Sequence, residues 1–265
     1  MAVWALIGFM GCGKSSIGRT AAKMLGVGGM PPQEFASLTP PSLRDGPPAS
    51  VPRVARPSEA HHHASAAFID LDEEIVRRCG KSIPEIFSAI GEAGFRAIER
   101  ETLGELLYRS GVLPLREFAS LTPPSADADG PPASVPRVAR PSGAIATSSG
   151  NPSTKLLISL GGGTLTDPGS RELVRKHCRC IYLRASLETL AANLRWEGEA
   201  ASRPMLAGAD PKAPAESPDS LESHISAMMA TRGPIYEKAA DIILDIDGLD
   251  YSDVARQILN CFSGK

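Results

Sequence analysis

Short apolar runs alternate along this chain with longer stretches whose apolar residues recur every three or four positions. The runs are AVWALI (2–7), FID (68–70), KLLISL (155–160), CIYL (180–183) and DIILDI (241–246). Apolar runs of that length, bounded by polar or glycine-rich segments, predict strands buried on both faces, as in a parallel sheet. Between them the helical signals are specific. A helical pattern runs through Leu25, and LDEEIVRRCG (71–80) has Gly80 placed to end a helix. SIPE (82–85) is a capping box with Pro84 tolerated in the first turn, and Phe95, Ile98, Thr102 and Leu106 then follow at helical spacing. In DPGSRELVRKH (167–177), Asp167 stands as N-cap and Pro168 as first helical residue. Strands alternating with helices predict an α/β fold, a three-layer α/β/α arrangement around a parallel sheet of about five strands.

Two stretches carry no such periodicity. EFASLTPPS occurs at Glu34–Ser42 and again at Glu117–Ser125, and DGPPASVPRVARPS at Asp45–Ser58 and again at Asp129–Ser142. Most of the 23 prolines fall there. A structural repeat supplies an apolar face for its neighbour to cover, and this unit has none. Short polar runs broken by Pro-Pro form neither ladders nor helices and bury too little to offset chain entropy. The expected organisation is one domain over 1–265, interrupted by disordered insertions at about 28–66 and 114–153. Both interruptions fall in helix-to-strand connections, opposite the strand carboxyl ends where ligands bind.

Composition changes this picture little. The chain has 265 residues, 42% hydrophobic and 22% charged, with net charge -2 and no run of one sign. It implies no general affinity for nucleic acid or membrane. No apolar run approaches the roughly 20 residues that span a bilayer. MAVWALI lacks a basic n-region and a cleavage site, so it reads as a strand and the protein is expected in the cytoplasm, as a monomer. The cysteines (Cys12, Cys79, Cys178, Cys180, Cys261) are odd in number and scattered, which predicts reduced thiols. His61–His63 have no carboxylate or cysteine cluster to complete a metal site.

The chemistry begins at GFMGCGKS, Gly8–Ser15, a G-x-x-x-x-G-K-[ST] phosphate loop between a predicted strand and a predicted helix. Gly11, Cys12, Gly13 and Ser16 offer backbone N–H groups and the helix N-terminus to a polyphosphate. Lys14 would bridge the β- and γ-phosphates of ATP and Ser15 would ligate Mg²⁺. The acceptor must be argued from other residues, because many phosphotransferases share this loop. Asp70 and Asp72 close the second strand, and from an extended segment the two carboxylates project similarly. A helix N-cap plus a solvated carboxylate would explain either alone. Arg96 and Glu99, three apart on one helix, have the spacing of a surface ion pair. Gly161, Gly162 and Gly163 follow a buried strand, where backbone could come close to a small ligand. Arg203 lies in a lid-like segment, and Arg232 is placed where a helix ends.

Taken together, these stretches resemble the shikimate kinase family. GFMGCGKSSIG, FIDLDEEI, SIPEIFSAIGEAGFRAIE, LISLGGGT, RPML and RGPIYEKAA occur in the family's order and cover nearly all the chain outside the insertions. The resemblance implies a P-loop kinase fold with a mobile lid. It implies transfer of the γ-phosphoryl group of ATP to the 3-hydroxyl of shikimate, on the route to chorismate and the aromatic amino acids. Asp72 matches the base at the acceptor hydroxyl and Asp70 the acidic residue near Mg²⁺. Arg96 and Arg232 match the pair gripping the shikimate carboxylate, with Gly161, Gly162 and Gly163 beside it. Phe87 and Phe95 would wall the ring. Arg203 matches the lid arginine, and Arg195 lies nearest to the one that stacks on adenine. Two other readings stand beside this one: a gluconate kinase-like enzyme, and a catalytically silent nucleotide- or shikimate-binding protein acting through its Pro-rich insertions. The paired arginines and LGGGT argue against the first, intact Lys14, Ser15, Asp72 and Arg203 against the second.

Overall fold

A computed structural model describes residues 2–25, 66–121, 155–196, 206, 217 and 220–263. β1 (Ala2–Ile7) is buried from Val3 to Ile7. It occupies the middle of a parallel sheet with order β2-β3-β1-β4-β5, where β2 is Ala66–Asp70, β3 Lys155–Ser159, β4 Arg179–Arg184 and β5 Ile242–Asp245. Ala5 sits opposite Ile158 of β3 on one side and Cys180 of β4 on the other. A strand flanked on both sides can be apolar throughout, which is what AVWALI is. All five predicted strands are present and parallel.

The helices follow their caps. α1 (Lys14–Met24) starts after Gly13 and packs so closely on β2 that Gly18 has no room for a Cβ beside the Phe68 ring. α2 (Leu71–Cys79) is capped by Asp70 and ends at Gly80, whose φ of 64° is left-handed. α3 (Ile83–Arg109) begins at Ser82, whose N–H donates to the Glu85 carboxylate at 2.7 Å. It is broken at Gly91, with φ 70° and ψ -179°, so the length carrying Arg96 and Glu99 follows a kink. A short 3₁₀ turn (Thr164–Thr166) follows β3, and Asp167 then caps α5 (Pro168–His177) by accepting from Ser170 N at 2.7 Å. α4 (Leu115–Leu121), α6 (Leu187–Trp196), α7 (Leu221–Ala239) and α8 (Tyr251–Ser263) are the other helices among the described residues.

Two sequence expectations are corrected. α7 does not end at Arg232: it runs past Pro234 to Ala239, which leaves Arg232 about two turns inside the helix. A single proline forfeits one ladder bond, and burial of Arg232 and Tyr236 on the same face holds the helix across it. The second insertion is also not disordered from its start. Leu115–Leu121 form α4, with Phe118 N donating to Pro114 O at 3.0 Å. Phe118 stacks on Tyr108 with ring centroids 4.9 Å apart, and Leu121 lies against Gly104, where a Cβ would meet its Cδ1 at 2.5 Å. The apolar face that the repeat lacks on its own is completed by α3. The remaining repeat residues, the first copy included, lie outside the described residues, as do His61–His63, Arg203 and the rest of its lid-like SRPML segment except Leu206, which is buried.

Phe118→Ala removes a stacked, half-buried pair and is expected to lower unfolding free energy by about 1–2 kcal/mol. Chemical denaturation checks this, and an unchanged midpoint would show that α4 does not dock on α3.

Candidate active site

The phosphate loop spans Gly8–Ser15 between the carboxyl end of β1 and the start of α1. Gly13, at φ 77°, is the N-cap of α1 and offers no side chain to its first N–H groups; the first turn also holds no acidic residue. Unsatisfied donors at the positive end of a helix, with no carboxylate to fill them, form an anion site. Lys14 is buried, and its Nζ donates to Gly8 O and Phe9 O at 2.9 Å and approaches Cys12 Sγ at 3.7 Å. Cys12 is wholly buried, so it can meet a phosphate only through its backbone. From the other side Asn193 Nδ2 donates to Gly11 O at 2.8 Å and ties α6 to the loop. Arg195, two residues on, pairs with Glu222 of α7 at 2.5 Å.

Asp70 and Asp72 do not both project from an extended segment. Asp70 ends β2, and its Oδ1 accepts from Asp72 N at 3.0 Å and Glu73 N at 3.2 Å, which starts α2 at once and places Asp72 in its first turn. The other Asp70 oxygen accepts from Ser15 Oγ. The helix-cap reading of Asp70 is therefore correct for one oxygen, while the other faces the phosphate loop. Ser15 Oγ and the Asp70 carboxylate make a pair of hard oxygen donors. Among the described residues no group of three or more His, Cys, Asp or Glu could hold a metal. A two-ligand oxygen site fits Mg²⁺, which completes its shell with water and phosphate oxygens.

Behind these lies the turn Gly161–Gly163. Leu160 N donates to Leu6 O at 3.1 Å, extending the β1–β3 pairing and bringing the turn alongside the phosphate loop. The glycines serve space rather than backbone angle. A Cβ on Gly161 would lie 2.7 Å from Glu99 Oε1 and 2.9 Å from Asp72 Oδ1, and one on Gly162 3.1 Å from Met10 N. One on Gly163 would overlap the Arg96 guanidinium. At Gly161 and Gly163 the space a Cβ would take is filled by neighbouring side chains, and at Gly162 by the Met10 backbone.

Arg96 and Glu99 are not a surface pair. Glu99 is fully buried and Arg96 nearly so; Arg96 Nη1 donates to Glu99 Oε2 at 2.7 Å, and Thr164 Oγ1 to Glu99 Oε1 at 2.5 Å. Burial pushes the Glu99 carboxyl up, with Arg96 and Thr164 offsetting only part of it. Burial alone would lower the Arg96 pKa, but the Glu99 and Glu92 carboxylates outweigh it and the net shift is upward, so the guanidinium stays charged. Its Nε is buried without a partner among the described residues. Phe95 and Phe87 pack with centroids 4.4 Å apart, the Phe95 ring 5.4 Å from the guanidinium carbon. Arg232, also buried, reaches Gly162 O at 3.4 Å through Nη1, and Tyr236 Oη donates to the same oxygen.

A cavity of about 350 Å³ is lined by Lys14, Ser15, Ser16, Asp70, Asp72 and Gly162, among others. It joins the phosphate loop to both aspartates. A larger hollow of about 540 Å³ lies by Tyr182, Arg184, Glu237 and Asp245, with neither the loop nor the aspartates in its wall. The smaller one is the candidate site, because the phosphate loop and both aspartates line it. Sequence reasoning assigned no role here to Thr164, Tyr236 or Asn193. Thr164 and Tyr236 stand in LGGGT and RGPIYEKAA, whereas nothing local to Asn193 signals its contact with Gly11.

Comparison with known proteins bears on this geometry. The family model for shikimate kinase matches residues 60–115 and 145–263. A shikimate kinase of Chlorobium chlorochromatii is 32% identical over 180 residues, covering 68% of this chain and 68% of its own. One of Halorhodospira halophila is 25% identical over 260 residues, covering 98% and 93%. Among solved structures, a shikimate kinase from Bacteroides thetaiotaomicron superposes with TM-score 0.58 at 21% identity, covering 100% of this chain and 99% of its own. The Acinetobacter baumannii enzyme in complex with shikimate gives 0.57 at 20%, covering 100% and 94%. These two likenesses show the fold.

Glu99→Ala would leave a buried guanidinium facing only the more exposed Glu92 at 3.3 Å. A stability loss of about 3–5 kcal/mol is expected by urea unfolding, and a loss under about 1 kcal/mol would mean that Arg96 reaches water unaided.

Proposed function

This chain belongs to the shikimate kinase family, ATP-dependent kinases acting on shikimate, and we propose that the cavity between Lys14, Asp70, Asp72 and Gly162 is where its transfer takes place. The observation that carries the assignment of residues is the joining, in one cavity, of an unfilled helix N-terminus to two carboxylates and the glycine turn.

The shikimate 3-hydroxyl attacks the γ-phosphorus, the bond from phosphorus to the bridging oxygen breaks, and ADP leaves with that electron pair. The acceptor's proton passes to the Asp72 carboxylate, which stands with Glu99 beside Gly161. Lys14 exchanges its bonds to Gly8 O and Phe9 O for phosphate oxygens. The backbone N–H groups of Gly11 to Ser16 hold the remaining charge. Ser15 and Asp70 would hold Mg²⁺, whose contribution when bound is to offset charge on the transferring group. Arg96 and Arg232 clamp the shikimate carboxylate, for which planar guanidinium groups suit better than lysine. Phe87 and Phe95 back Arg96 and wall the ring. Arg203 closes over the phosphates from the lid, and Arg195, near the loop, faces the adenine. The kinase is one domain interrupted twice, monomeric, with a small-molecule acceptor, and it works in the cytoplasm. No helix among the described residues is long and apolar enough to cross a membrane.

Purified protein given ATP, Mg²⁺ and shikimate is expected to release ADP only when shikimate is present. Lys14→Ala should cut turnover by about a hundredfold or more, and Asp72→Asn by about 10²–10⁴-fold. EDTA should stop the reaction and excess Mg²⁺ restore it. Absence of shikimate-dependent ADP release would defeat the assignment. For the lid, Arg203→Ala is expected to lower kcat by a larger factor than it raises KM for ATP, and an unchanged kcat would refute the role given to Arg203.

A further inference from the structure

The peptide plane joining Gly162 to Gly163 is held from one side by a single helix face. The Gly162 carbonyl accepts from Arg232 Nη1 at 3.4 Å and from Tyr236 Oη. These donors stand four residues apart on α7, about one turn, so they project together. Both side chains are buried, and burial pushes the Tyr236 phenol far above its ordinary value, so it remains a neutral donor. A carbonyl oxygen has two lone pairs, and here both are used.

The consequence lies on the opposite side of the plane. The described residues contain no cis peptide bond. In a trans peptide the Gly163 N–H points opposite to the Gly162 carbonyl, hence away from α7. A Cβ on Gly162 would press on Met10 N and one on Gly163 would overlap the Arg96 guanidinium, so the turn lies close against both. Rotation of the peptide plane is what remains to be fixed, and a Gly-Gly pair resists rotation least.

We infer that Tyr236 is a positioning residue for the acceptor: through the Gly162 carbonyl it sets the plane that aims Gly163 N–H and anchors the Arg232 guanidinium. The role rests on the reading of Arg232 and the glycine turn given above. Phenylalanine at 236 would keep the ring pair with Tyr182, at 5.4 Å between centroids, and leave Gly162 O with only its long bond to Arg232.

Steady-state kinetics of Tyr236→Phe, with shikimate and ATP varied separately, test this. KM for shikimate should rise five- to twentyfold, KM for ATP should stay within twofold, and kcat should fall less than threefold. Because both donors act on one oxygen, the loss in kcat/KM of Tyr236→Phe with Arg232→Lys should be smaller than the product of the single losses. Para-aminophenylalanine at 236, which keeps a donor, should return KM for shikimate to within threefold of the native value. Para-chlorophenylalanine, which fills the hydroxyl's volume without donating, should behave as phenylalanine does and carries the test if Tyr236→Phe does not fold. A purely structural tyrosine would lower thermal stability without separating the two substrates. A shikimate KM within twofold of native, or both KM values rising together, would overturn the inference. If the native protein itself does not phosphorylate shikimate, the functional reading fails instead.

Discussion

Three consecutive residues after β3 have no Cβ, and the arrangement of the site depends on that absence. At Gly161 a methyl group would collide with the Glu99 and Asp72 carboxylates, at Gly162 it would press on the phosphate loop, and at Gly163 it would displace the Arg96 guanidinium. The turn is where four parts of the chain meet: the loop after β1, the first turn of α2, the kinked α3, and α7. Because the interior is close-packed, such a meeting point cannot yield by expanding. The glycines therefore fix how near the phosphate loop stands to Asp72, Arg96 and Glu99.

Charge is arranged with the same economy. Glu99 is buried and answered by Arg96 and Thr164, so the guanidinium is already oriented and desolvated, with Nε unused among the described residues. A buried pair of this kind adds little net stability against an apolar alternative. What it does is hold a planar cation still, and in the proposed clamp a cation held before the ligand arrives would lose less entropy on binding. Asp70 shows another form of sharing. One oxygen starts α2 and so places Asp72, while the other meets Ser15 of the phosphate loop. A single carboxylate thereby links the position of the proposed base to the position of the phosphates.

Of the duplicated Pro-rich unit, the described residues hold only the beginning of the second copy. EFASL of the second copy is helical because α3 offers it Tyr108 and Gly104 to lie on, and Glu117 reaches Lys176 and His177 at the end of α5. The connections that carry the two copies leave α1 and α4 and return at the amino ends of β2 and β3. The phosphate loop and the glycine turn sit at the carboxyl ends. Loop length added at a connection costs entropy that grows only slowly with length.

The sequence by itself determined the five strands, the caps at Asp167, Ser82 and Gly80, the phosphate loop, and the family. Each of these is written in local chemistry: an apolar run, a capping side chain, a glycine in a fixed pattern. Local chemistry misjudged Arg96 with Glu99, whose three-residue spacing is the same for a solvated pair and a buried one. It ended α7 at Arg232 because a proline two residues later is a sound stop signal when nothing else holds the helix. It also placed α4 in a disordered segment, since the apolar surface that makes that segment a helix belongs to residues about ten to seventeen positions away on α3. Only tertiary structure decided which charges are buried, which glycines are needed for room, and which oxygen Tyr236 and Arg232 share. Burial and contact are properties of pairs of segments, and no window along one chain segment contains its partner.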